Sequence, residues 1–185
     1  MSKGKAKRIL DRLEGTLIAD LKSLKIIAEE RSKSDSLKEK LPGAFNFSLF
    51  ITGLIACETL GFFINKTAED GRSEDNIKYF ISSNYFKQCA FKKDRYLNIL
   101  VSLRTNLVHV FGMTDLRLEN IDTDIGLSVG GSNEPELLRE HDIVKLNGVK
   151  FLEFVIDGFD SIKSEVTSGN DNSALIGAIS RKSMI

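Results

Sequence analysis

At 185 residues the chain has the length of one domain, long enough to bury a core without disulfides or a structural metal. Its 26 basic and 26 acidic residues cancel, so no overall field steers it toward nucleic acid or an anionic membrane, and only a local patch is left for such a role. Cys57 and Cys89 are the only cysteines and there is no CxxC or Cys/His cluster, which excludes a zinc site of ordinary spacing.

The first residues are charged and hold no apolar stretch of signal-peptide length, so the cytoplasm is the expected location. Over 5–31, Leu10, Leu13, Leu17, Leu21, Leu24 and Ala28 recur at steps of three and four, the spacing of one helix face. A charged, serine-rich stretch then meets Leu41-Pro42-Gly43, a stop-and-turn signal. The next segment, 44–64, is apolar enough to be weighed as a membrane span. Asn46, Glu58 and the hydroxyls of Ser48, Thr52 and Thr59 argue for a buried core helix instead, because a carboxylate in a lone span costs roughly 3 kcal/mol. No membrane partner is therefore expected.

A polar loop at 66–74 leads to a short helix over about 74–84, with Ser73 as its N-cap. Residues 84–93 show no clear period. A further helix is expected over 94–111, begun by Asp94 and stopped by Gly112. The pattern then changes to short alternating runs, Ile125, Leu127, Val129 and later Val144, Leu146, which read as a small β-element at about 116–147 with one helical turn after Pro135. Asn147-Gly148 marks a turn. Leu152, Val155, Ile156, Phe159, Ile162 and Val166 predict the last helix at 149–167. Residues 169–185 read as a flexible polar tail in which 174–179 are apolar enough to dock.

The 94–111 helix carries the chemistry. Apolar residues cover most of its circumference, so its polar residues are informative. Asn98, Ser102, Thr105, Asn106 and His109 form one stripe, and Arg104 stands beside it. Arg104 and His109 are five positions apart, about 140° around an ideal helix. A long guanidinium wraps toward the imidazole, or each group meets its counterpart across a two-fold axis. The helix has more apolar surface than one small core needs, which points to a homodimer built around it.

The run Arg104-Thr105-Asn106-Leu107-Val108-His109 resembles the signature of HEPN-domain proteins: an arginine, a polar neighbour, a few apolar residues, then histidine. The likeness is close over about a dozen residues, LVSLRTNLVHVFG. The resemblance implies a mainly α, HEPN-like antiparallel helical bundle as a single domain over 1–168, with the small β-element inserted before the last helix. It implies a metal-independent endoribonuclease of toxin or defence type, without cofactor, acting on RNA as a dimer. An antitoxin or nucleotidyltransferase-type protein would be its cellular partner. His109 would be general acid or base and Arg104 a phosphate clamp. Asn106, one turn before His109, would orient the ring or hold a phosphate. Thr105 occupies the position after the arginine where active members carry Asn, Asp or His.

Other readings stand beside this one. A protein of the same fold that only binds RNA, a nucleotide or a protein is one, and a structural or regulatory dimer whose polar stripe is an interface device is another. Glu58, within an apolar run, needs a cation, and either Arg104 or His109 would serve. Lys87, Lys92, Lys93 and Arg95 would touch a phosphate backbone if they share a face, and a solvated face is the commoner origin of such a run. Tyr79, Phe80, Tyr85 and Phe86 are base-stacking or core residues.

Overall fold

The structure, a computed structural model, describes residues 3–40, 45–66, 72–109, 124–128, 136–138, 143–168 and 172–182, with side chains of the helix at 94–109 described through Thr105. Among these residues the protein is a mainly helical bundle. Its helices are α1 (Lys3–Leu13), α2 (Ala19–Lys33), α3 (Asp35–Lys40), α4 (Phe45–Ile64), α5 (Ser73–Ser82), α6 (Asp94–His109), α7 (Gly148–Thr167) and α8 (Ser173–Arg181).

The first long helix is not one uniform period. A π-helical turn, Glu14–Ile18, joins α1 to α2. Its wider winding rotates the face that follows, so after Leu10 and Leu13 the core position falls on Ile18, and Leu17, expected there, is only partly covered. Leu21 and Ala28 complete the buried row. On α7, Lys163 holds this turn by bonding Glu14 at 2.6 Å and Asp11 at 3.0 Å.

Helix α4 lies at the centre, packed against α5, α6, α7, α2 and α8. Leu49, Phe50, Leu54, Ala56, Cys57 and Leu60 are buried there. By length and composition Phe47–Ile64 qualifies as a membrane span, yet 56% of it is covered by the fold, as a core helix requires. Small residues set the packing distances. A Cβ on Gly61 would stand 1.9 Å from the backbone oxygen of Asn76, so α5 lies directly on α4 there. A Cβ on Gly158 would meet Phe80 at 2.7 Å, which seats α7 against α5.

The period-free stretch 84–93 is held by rings rather than by a long helix. It contains a 3-10 turn, Cys89–Lys92, capped by Gln88. Phe86 meets Phe80, Phe91 and Phe154 at 5.9–6.0 Å between centroids, and Phe50 stacks on Phe151 at 5.5 Å. Phe80 and Phe86 are therefore core and do not stack on bases.

The small β-element is a three-stranded sheet of β1 (Asp124–Ser128), β2 (Glu136–Leu138) and β3 (Ile143–Asn147), with β3 central. It pairs parallel with β1, Ile125 opposite Val144, and antiparallel with β2, Leu137 opposite Val144. The turn of helix expected after Pro135 is strand β2 instead, because Glu136–Leu138 pair with β3. The extended run expected at 116–121 lies outside the described residues. At the β3–α7 junction Asn147 caps α7 by accepting from the Lys150 amide at 3.2 Å.

Two further expectations need correction. Residues 173–181 are not a flexible tail: α8 buries Leu175, Ile176, Ala178 and Ile179 against α1 and α4, so the β-element precedes the penultimate described helix. Asn172 begins α8, its Oδ1 accepting from the Leu175 amide at 3.0 Å while its amide donates to Glu165. Ser73 starts α5 but caps nothing, because its hydroxyl is directed to Glu58.

Between α2 and α7, Glu153 bonds Lys150 at 2.7 Å and Lys25 at 3.2 Å. Partial burial pushes the Glu153 carboxyl up, and the two lysines more than offset this, leaving it below the usual carboxylate range. A carboxyl depressed in the folded state stabilises fully above its unfolded pKa and loses that contribution as pH falls through the folded value. Glu153→Gln should therefore flatten the fall in melting temperature between about pH 5 and 3, by under about 1 kcal/mol for so exposed a pair. Parallel acid limbs for the two proteins would contradict this.

Candidate functional site

Three helices meet at one carboxylate. Glu58 projects from the apolar middle of α4, Ser73 opens α5, and Arg104 lies on α6. The Arg104 Nε and Nη2 donate to Glu58 Oε2 at 3.1 and 2.9 Å, and the Ser73 hydroxyl donates to Oε1. The Arg104 and Glu58 side chains keep 22% and 24% of their exposure, so the pair is desolvated on its bundle side and open on the other. Position-by-position burial explains the arrangement: Leu97, Leu100 and Leu103 turn α6 onto the core, and Arg104, next to Leu103, is carried with them toward α4 and α5.

Glu58 uses one edge of the guanidinium, the side-on edge of Nε and Nη2. Three N–H groups, both of Nη1 and the second of Nη2, have no protein partner among the described residues, and one from each nitrogen forms the end-on edge. That edge has the spacing of two oxygens of one phosphate or carboxylate.

The polar stripe is a separate surface. Asn98 is exposed and Ser102 half-buried, on the side of α6 away from Arg104. The Thr105 hydroxyl bonds back to the Val101 carbonyl at 3.4 Å, so it is occupied by its own helix. The backbone places Asn106 and His109 in the last turn of α6, on the stripe side. Within one chain Arg104 is thus brought to Glu58 and Ser73, and helical geometry turns it away from the stripe.

The basic run before α6 does not assemble into a groove. Lys92 is spent on the Ser83 carbonyl at 2.7 Å. Lys87 lines a hollow with Asp157, Asp160 and Glu165, an acidic setting unsuited to a phosphate backbone. Lys93 and Arg95 are exposed. No group of metal-binding side chains occurs among the described residues.

Two arrangements escaped the sequence. Ser73 stands fifteen positions from Glu58, and nothing local to either marks the contact. The second is the tie of Tyr85 and Asn172 to Glu165, with the Tyr85 hydroxyl at 2.8 Å. Burial first, and then the carboxylate, push the Tyr85 phenol above its ordinary range, so it is a fixed donor. The tie walls an open cleft of about 530 Å³ that Tyr79 and Asn84 also line.

No family model matches the chain, and no curated protein or solved structure matches it.

Proposed function

We propose that the chain is a metal-independent endoribonuclease of HEPN type, with Arg104 holding a phosphate and His109 moving the proton. The observation that carries this reading is the end-on edge of Arg104, which no described residue occupies. A guanidinium that is already oriented by a carboxylate on one edge loses little entropy when the other edge takes a phosphate. The imidazole has the right chemistry for the rest: it takes a proton from a ribose 2′-hydroxyl and returns one to the leaving oxygen, which leaves a cyclic 2′,3′-phosphate. The resemblance of Arg104–His109 to the HEPN signature supports the same assignment, and a toxin-type role would call for an antitoxin or nucleotidyltransferase-type partner. Purified chain should cut a mixed single-stranded RNA in EDTA. RNA left whole with and without added metal would sink the proposal.

The catalytic unit in this reading is a homodimer, because Arg104 and His109 stand about 140° apart around α6 within one chain. On α6 the chain's own fold covers Leu97, Ile99, Leu100, Val101 and Leu103, and the rest of the apolar surface expected there, from Leu107 to Phe111, lies outside the described side chains. Among the described residues α4 exposes one large apolar side chain, Ile55, 38% exposed and one turn from Glu58, with half-buried Ile51 one turn further on. A second copy seated there would face the Glu58–Arg104 pair. Ile55→Asp should convert a dimer into a monomer by light scattering at tens of micromolar, a range where micromolar affinity gives a dimer. A wild-type monomer at that concentration, or an unchanged mass for Ile55→Asp, would contradict this interface.

One observation favours a second reading. Glu58 neutralises Arg104 and ties α4, α5 and α6 together, as a purely structural ion pair would. In that case the chain is a helical scaffold or a non-catalytic binder.

A further inference from the structure

The charge on the closed edge of Arg104 has a consequence for the open one. Glu58 is the only charged residue of α4, and the charged residues at the start of α5, Arg72, Glu74 and Asp75, are exposed. Guanidinium and carboxylate together therefore present donors to an arriving anion with no net charge behind them. Glu58 cannot swing aside freely, because Ser73 holds Oε1 while Arg104 holds Oε2. Ser73 in turn is fixed by α5, which Gly61 lets lie directly on α4.

We infer that Glu58 is a fixed counter-charge that limits how tightly Arg104 holds a phosphodiester, and that Ser73 is the positioning residue that keeps it on the far edge of the guanidinium. This rests on the reading of Arg104 as a phosphate site. The arrangement separates two properties that a bare arginine would combine. Orientation comes from the hydrogen bonds of Glu58, which fix which edge faces the ligand. Attenuation comes from its charge, which opposes the phosphate across the width of one guanidinium. A site of this kind binds a chain of phosphates in register and still lets it go, which turnover on a polyanion requires.

The two properties respond to different substitutions. Glu58→Gln keeps an acceptor for Arg104 and a partner for the Ser73 hydroxyl, and it removes only the charge. Ser73→Ala keeps the charge and removes the anchor. The probe is a labelled single-stranded 2′-O-methyl RNA oligonucleotide, which lacks the free hydroxyl that cleavage needs, with binding read by anisotropy.

Glu58→Gln should tighten binding about tenfold at low ionic strength, the scale of one partly solvated unit charge nearby, and the gain should shrink as salt rises. The gain should vanish when Arg104→Ala is added. Ser73→Ala, with its melting temperature held within a few degrees, should weaken binding severalfold, and this arm stands even if Glu58→Gln folds poorly. Unchanged or weaker binding by a folded Glu58→Gln, a gain that survives Arg104→Ala, or unchanged binding by Ser73→Ala would overturn the inference. So would oligonucleotide binding by none of the proteins. A tenfold gain in a chain that never cuts RNA would sink the nuclease and leave the inference standing. Cutting by wild type without a gain in Glu58→Gln would do the reverse.

Discussion

His109→Ala is expected to lower RNA cleavage by 10²–10⁴-fold, the usual contribution of a general acid or base, without changing the melting temperature or the oligomeric state. The expectation follows from where the residue stands. The backbone carries His109 in the last described turn of α6, about 140° around the helix from Arg104. Helical spacing sets His109 on the same side of α6 as Asn98, three turns away, and off the side of Leu97, Leu100 and Leu103, so truncating it should leave that leucine core in place.

Arg104→Ala should behave differently from His109→Ala. It also removes a phosphate contact, so substrate binding and cleavage should both weaken. It leaves Glu58 with Ser73 alone, and so it should cost stability as well, about 1–2 kcal/mol once the partial exposure of the pair is allowed for. Cleavage should persist in EDTA and fall on both sides of an intermediate pH if two groups must hold opposite protonation states. Cutting that survives His109→Ala would remove His109 from the reaction. A large drop in melting temperature for His109→Ala, with cleavage per folded molecule unchanged, would place the residue in the scaffold.

The helical class was readable because its signal is local. Apolar residues three and four apart mark α1, α2 and α7, and the observed bounds of α7 differ from the expected ones by a single residue at its start. The errors fall where the information is not local. The π turn at Glu14–Ile18 is set by packing and by Lys163, which arrives from α7. Strand β2 exists because β3 lies beside it, and three residues carry no period of their own. Ser73 looked like a cap because serine before a helix usually is one. Its hydroxyl went to Glu58 because a carboxylate in an apolar helix is the stronger acceptor. At the site, the need of Glu58 for a cation could be read from its apolar neighbours, and Arg104 was one of two candidates. Which edge of the guanidinium it would take could not be read, and the proposed chemistry depends on that edge.

Gly61→Ala should lower the stability of the whole bundle, by roughly 2–4 kcal/mol, or some 5–15 °C in melting temperature for a chain of this size. Helix propensity alone predicts the opposite sign, since alanine is favoured over glycine inside a helix by about 1 kcal/mol. The packing decides. The new methyl would sit 1.9 Å from the Asn76 carbonyl oxygen and 2.6 Å from its carbon, and both are backbone, so no rotamer change relieves them. Helix α5 must move off α4 as a body, and Ile77, Phe80 and Ile81 leave their places in the core with it. Gly177 in α8 is the control: nothing stands within 4 Å of its added Cβ, so Gly177→Ala should stabilise by up to about 1 kcal/mol. A Gly61→Ala protein that melts with or above wild type would show that α4 and α5 are not in direct backbone contact. Because α5 also carries Ser73, the same displacement should release Glu58 from its anchor, so Gly61→Ala should lose oligonucleotide binding along with stability.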